Sequence, residues 1–146
     1  MTIRCEIVSQ DRTVFAGDVD IVVLPGAGGE MGILPKHAPV LTTLKYGVVK
    51  IRKNGKEELF TVAGGVAEVQ PDIVTILADA AENVDEIDVA RAEAARTRAE
   101  EILAKGLPAD TDAYLAMEAA LRKSNLRLEA VSRYRKGGTR VSTSEH

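Results

Sequence analysis

Along this chain the spacing of apolar residues changes period once, near residue 88, and that change limits what the chain can fold into. Up to about Ala81 the apolar residues alternate or come in short β-branched runs, IRCEIV, VDIVVL, GVVKIR, LFTVAGGVAEV and DIVTILAD, separated by Gly, Pro and Asn-Gly. Turn signals every ~8 to 12 residues predict an all-β sandwich or barrel, and the short connections make it antiparallel. Asn54-Gly55 stands between two such runs, and this pair tolerates the positive φ angles of a tight turn, so a β-hairpin is predicted there. From Asp88 the composition turns to Ala, Glu and Arg with no Gly before Gly106, which favours a helix. GLPAD breaks it, and a second helix is predicted from about Asp112, a good capping residue type, to about Arg135.

Within the helical part, Val89, Ala92, Arg96, Ala99 and Leu103 recur at alternating spacings of three and four, as do Tyr114, Met117, Leu121, Ser124, Leu128 and Val131. The two helices should therefore pair antiparallel. The first seam is Ala-rich, so it allows close approach but buries little apolar area, and the hairpin is expected to be marginal and able to separate. The expected organisation is α+β: a flattened antiparallel β-sandwich over 1–86, an antiparallel two-helix hairpin over 87–136 and a flexible polar tail over 137–146.

At 146 residues, 45% hydrophobic and 28% charged, the chain can bury a core without covalent staples. Cys5 is the only cysteine, so neither a disulfide framework nor a CxxC metal site is available, and its strand position should face the core. No run approaches the ~18 apolar residues of a membrane span, and MTIRCEIVSQ lacks the apolar run of a signal peptide. Aromatics are 3% and Trp is absent, which disfavours stacking platforms for nucleic acid. GAGGEMG departs from a dinucleotide fingerprint, since Met31 takes its sixth position and Ile-Leu-Pro follows where a helix should begin. His37 has no Cys or second His at ligand spacing, and no GxxxxGK[ST], GxSxG or HExxH occurs. No catalytic residue or metal site is expected, and the chain does not read as an enzyme.

Charge divides unevenly. Residues 1–87 hold 8 basic and 13 acidic groups, whereas residues 88–146 hold 11 basic and 9 acidic ones. Arg122, Lys123, Arg127, Arg133, Arg135, Lys136 and Arg140 face only Glu129 in their stretch. Such a run is either a solvated helix face or a surface for an acidic protein or a phosphate. GEMGILPKHAP, residues 29–39, gathers two glycines, two prolines and His37 between strand-like segments and reads as a loop held in one shape.

Three stretches, GEMGILPKHAPVLTTLKYGVVKI, FTVAGGVAEVQPDIVTILADAAE and IDVARAEAARTRAE, resemble in order and spacing the epsilon-subunit family of F-type ATP synthases of bacteria and chloroplasts. The resemblance covers almost the whole chain. It implies a sandwich followed by a helical hairpin, and a peripheral place in the central rotor stalk at the cytoplasmic face of the cell membrane. The implied partners are the gamma subunit, the c-subunit ring and, transiently, the alpha and beta subunits of the catalytic head. Glu30 and His37 would meet the polar loops of the c subunits. The implied role is to couple the head to the ring and to restrain ATP hydrolysis, with Arg122, Lys123, Arg127, Arg133 and Arg135 on an inhibitory helix that enters the head when the hairpin extends.

Some members of that family bind ATP as a regulatory ligand through an Ile-Asp-x-x-Arg-Ala pattern. Here the pattern is Ile87-Asp88-Val89-Ala90-Arg91-Ala92, with Glu82 before it and Arg98, Lys123 and Arg127 after it. Lys123 departs from the family's Arg, and an ammonium does not reproduce a bidentate phosphate contact. Asp88 as a helix cap, with Arg91 and Arg98 as an exposed face, is the alternative reading of the same residues. A sandwich with a helical hairpin also suits an adaptor that binds another protein's helix, and co-purification with gamma separates the two.

Overall fold

A computed structural model describes residues 1–135; the expected tail 137–146, together with Lys136 and Arg140, lies outside the described residues. The chain divides into two compact units, the first spanning Met1–Val84 and the second beginning at Asp85.

The first unit is built from β1 (Ile3–Val8), β2 (Thr13–Val19), β3 (Ile21–Gly26), β4 (Gly29–Ile33), β5 (Val40–Lys53), β6 (Lys56–Val69), β7 (Ile73–Ala78) and β8 (Ala81–Asn83). Pairing runs β2-β1-β7-β6-β5-β3-β4, with β8 on β6. The long strands β5 and β6 meet at Asn54 and Gly55, whose φ angles of 54° and 78° are the left-handed pair that a two-residue hairpin turn requires. Further along β6, Gly64 and Gly65 have φ of 85° and 129°, and a Cβ on Gly65 would collide with the Leu77 carbonyl oxygen. At this point β6 changes partner, from β8 at Phe60–Val62 to β7 at Gly65–Val69. Bending there lets one hydrogen-bonded sheet fold over into two layers, and β2 comes close to β5 and β8 although it shares no ladder with either.

Period-2 alternation then fills the interior. Ile3, Cys5 and Ile7 of β1, Val22 and Leu24 of β3, Val49 and Ile51 of β5, Phe60 and Val62 of β6, and Val74 and Ile76 of β7 all belong to one buried cluster. Each such side chain contributes roughly 1.5–3 kcal/mol on burial. Phe15 meets Phe60 edge-on, with ring centroids 5.6 Å apart.

Two features of the β unit differ from the sequence reading. β1 runs parallel to β7, from Arg4 opposite Ile73 to Val8 opposite Leu77, within a sheet expected to be antiparallel throughout. Alternation specifies which face a residue takes and says nothing of the direction of a strand's neighbour. The segment read wholly as a loop also contains β4, in which Met31 and Ile33 turn inward while Glu30 and Gly32 turn outward. Two glycines in five positions hid that alternation.

A 3-10 turn at Val84–Glu86 begins on the last residue of the first unit and leads to α1 (Val89–Ala104) and α2 (Asp112–Tyr134) of the second. Asp88 caps α1, its Oδ1 accepting from the Arg91 amide at 3.0 Å. α2 is capped by Thr111 instead of the expected Asp112. The Thr111 hydroxyl accepts from the Tyr114 amide at 3.2 Å and donates to the Pro108 carbonyl at 2.7 Å, and a carboxylate cannot do the second. Asp112 occupies the first turn, where its charge suits the helix dipole. The helices meet along small residues: Ala92 and Ala99 of α1, Ser124 and Ala130 of α2 are buried, while Val89, Leu103, Met117, Leu121, Leu128 and Val131 are half-buried. Ser124 is accommodated because its hydroxyl donates to the Ala120 carbonyl at 2.8 Å.

Candidate functional site

Alternation in the β unit leaves one outward face with apolar character. Thr43, Val66, Leu77 and Val8 stand side by side across β5, β6, β7 and β1, and Leu41, Glu68, Thr75 and Glu6 form the next row. Their neighbours in sequence point into the core, which turns these residues out. Leu41 is 69% and Leu77 is 55% exposed, where a solvated face would carry polar residues. This strip was not among the surfaces expected from the residues; its signal is the presence of leucines at the polar phase of the alternation.

β3 and β4 join through Ala27 and Gly28, and Glu30 lies just after that turn, opposite Pro25 on the edge strand, exposed. The connection to β5 begins with a turn from Leu34 to His37, closed by the His37 amide on the Leu34 carbonyl at 3.2 Å. Pro35 occupies its second position and Lys36 its third, with φ of 67°, a left-handed conformation usually given to Gly. The Lys36 amide is anchored on the Pro71 carbonyl at 2.8 Å. His37 is half-buried, and its Nδ1 donates to the Ala38 carbonyl at 2.7 Å. Since a carbonyl only accepts, the neutral ring carries its proton on Nδ1 and offers Nε2 as an acceptor. Glu30 and His37 thus sit in one short segment, the first on a strand and the second in a turn held by backbone bonds.

The residues singled out for nucleotide are placed on separate elements. Glu82 lies on β8 of the first unit, where its backbone carbonyl accepts from the Thr61 hydroxyl at 3.4 Å. Ile87 is buried ahead of α1, and the Asp88 carboxylate is engaged in capping. Arg91 and Arg98 are exposed and, seven residues apart, share one side of α1. Lys123 and Arg127 are one turn apart on α2, the first exposed and the second half-buried. A groove of ≈ 640 Å³ between the helices is lined by Val89, Glu93, Arg96, Leu128, Glu129 and Ser132 among others, and by none of the nucleotide candidates.

The basic residues of α2 do not form a single stripe. At 100° per residue Arg122 and Arg133 share a direction, Lys123 and Arg127 share another, and Arg135 takes a third. Arg122 and Arg133 are exposed, and the Arg133 guanidinium lies 5.9 Å from the Tyr134 ring centroid. Arg135 turns back: its Nη2 donates to the Ile87 carbonyl at 2.7 Å, joining the end of α2 to the residues before α1. Nothing in the residue pattern foretold that bond, which links positions 48 apart.

Among the described residues no group of three or more His, Cys, Asp and Glu side chains is placed to hold a metal ion, and no helix is long and apolar enough to cross a membrane. Cys5 is fully buried, and burial, with the Glu6 charge adding to it, pushes its thiol up to about 12.

The sequence and fold match those of known proteins. Residues 2–84 fit the ATP synthase delta/epsilon chain β-sandwich domain, and residues 85–132 fit the ATP synthase delta/epsilon chain long α-helix domain. An ATP synthase epsilon chain of Acidithiobacillus ferridurans is 44% identical over 138 residues, covering 94% of this chain and 96% of that protein. One from Pelotomaculum thermopropionicum is 55% identical over 104 residues, 71% of this chain and 78% of its own length. Among solved structures, a chain of the Euglena gracilis mitochondrial ATP synthase, in a structure of its OSCP, F1 and c-ring, aligns with a TM-score of 0.71 at 26% identity over 90% of this chain and 82% of that one.

Proposed function

Because this chain belongs to the ATP synthase delta/epsilon chain family, we propose that it works as a non-catalytic epsilon subunit of the central stalk, with its β unit as the docking platform and its helical hairpin as a brake on ATP hydrolysis. The observation that carries the platform reading is the outward strip of Leu41, Val66, Leu77 and Val8 on a sheet whose other side is fully cored. Gamma is the partner assigned to that strip. Glu30 and the Nε2 acceptor of His37 are assigned to the polar loops of the c ring, at the cytoplasmic side of the membrane. Arg122, Lys123, Arg127 and Arg133 supply the contacts of the extended helix with the beta subunits, and ATP binding through Arg91, Arg98 and Arg127 favours the folded hairpin. Arginines suit phosphate oxygens because a guanidinium donates two hydrogen bonds at once.

Truncation after Glu86 tests the division of labour in the assembled complex. The truncated chain is expected to bind gamma and support synthesis while hydrolysis rises; assembly with hydrolysis at the wild-type level removes the brake from this reading. Leu77→Glu should weaken capture of gamma, and Glu30→Lys should reduce ATP-driven proton pumping with gamma capture intact. Heat on titrating ATP into the isolated chain tests the nucleotide assignment, and none at millimolar ATP eliminates it.

A further inference from the structure

The second unit is a hairpin with one covalent end, the connection from Lys105 to Thr111, and one open end, where α2 finishes beside the start of α1. Between them lies a seam whose buried residues are three alanines and a serine, a small apolar area to hold two helices together. At the open end, the Arg135 Nη2 donates to the Ile87 carbonyl at 2.7 Å. The capping of α1 makes that carbonyl available. Had the helix begun one residue earlier, the Ile87 carbonyl would accept from the Arg91 amide; that amide is given to the Asp88 carboxylate, and the Asp88 carbonyl takes the Ala92 amide at 3.0 Å. The Nε of Arg135 is buried, so the guanidinium is set into the hairpin.

We infer that Arg135 is a clasp, a positioning residue that sets how readily the α1–α2 hairpin parts from its open end, and that Asp88 sustains it by taking the Arg91 amide away from the Ile87 carbonyl. A charged donor on a backbone carbonyl is among the stronger hydrogen bonds of a protein, and its release returns the guanidinium to water. Opening from the end farthest from the turn therefore has to break this replaceable contact. The inference deepens the reading of the hairpin as a movable element and rests on it for the consequence in the complex, although the clasp itself is measurable in the isolated chain.

Amide hydrogen exchange on the full chain is the test. In Arg135→Ala, amides in the last two turns of α2 and the first two of α1 should exchange about tenfold faster than in the wild type, with those of β1–β8 unchanged. Arg135→Lys, which keeps a charged donor without the planar fork, should recover part of the protection. Unchanged helix protection in Arg135→Ala overturns the clasp, and so does equal acceleration across the β unit, which would make the substitution a general destabilisation. In the assembled complex Arg135→Ala should lower ATP hydrolysis by favouring the extended hairpin. Faster exchange with unaltered hydrolysis upholds the clasp and counts against the brake.

Discussion

The two units of this chain solve the problem of burying apolar surface in opposite ways. The β unit places large β-branched and aromatic side chains from nearly every strand into one cluster, and its long strands bend to enclose it. The hairpin meets along Ala92, Ala99, Ser124 and Ala130 and leaves its larger side chains half-buried. Removing any strand of the first exposes the core of all the others, whereas parting the helices uncovers four small residues and the covered sides of larger ones that already meet water. A chain built so can keep one part rigid while the other changes partners.

The contrast can be broken most forcefully at Phe60. Phe60→Ala leaves a cavity beside Phe15 and should cost about 3–5 kcal/mol in denaturant unfolding followed by β-strand signals. If helix protection against exchange falls by the same amount, the two units unfold as one and the contrast is lost. A smaller change falls on the other side. Ala99→Leu forces a side chain into a seam fitted to a methyl group and should destabilise the hairpin by about 1–3 kcal/mol, leaving β-sheet protection as it was. The expected readout is loss of helical circular dichroism before the main transition.

Cys5 offers a pH probe of the closed core. The unfolded thiol ionises near 9.0 and the folded one near 12, so the unfolded state loses its proton first as pH rises. Stability is intact below about pH 9 and is lost progressively toward pH 12, with a decrement on the order of 1 kcal/mol at pH 10. Cys5→Ala should lack this component, so the difference between the two unfolding profiles isolates it; parallel profiles would mean the thiol ionises in the folded core. The smallest effect is expected at Asp88, where Asp88→Ala removes the cap of α1 and should cost roughly 0.5–1 kcal/mol, seen as fraying of the first turn of α1 and of the end of α2 that Arg135 ties to Ile87.

Much of this arrangement is legible in the residues, and the parts that are not share a cause. The Asn54-Gly55 turn, the inward Cys5 and the alternating helix seams follow from local chemistry, and the structure places each as that chemistry requires. The parallel β1–β7 ladder, the partner change at Gly64-Gly65 and the Arg135–Ile87 bond are relations between distant segments, which no local period encodes. For the candidate surfaces the same division holds. Glu30 and His37 stand out by residue type, while the apolar strip exists only once register sets Val66, Leu77 and Val8 abreast. β4 was obscured because glycine, which fills two of its five positions, is also the commonest sign of a turn.

The parallel ladder carries a consequence for how the chain comes to be folded during synthesis. β1 leaves the ribosome first and can pair at once with β2, the next strand made, but its other edge is completed only by residues 73–77. Until then a strand rich in Ile and Val has one edge unpaired and one face uncovered, a condition that invites association with other nascent chains. Pairings of such long sequence separation also slow the final closure, toward the millisecond-to-second range of non-local β topologies. The charged side chains of Arg4 and Glu6, which alternate with the core residues of β1 and pair with each other at 3.3 Å, keep that waiting strand from being uniformly sticky.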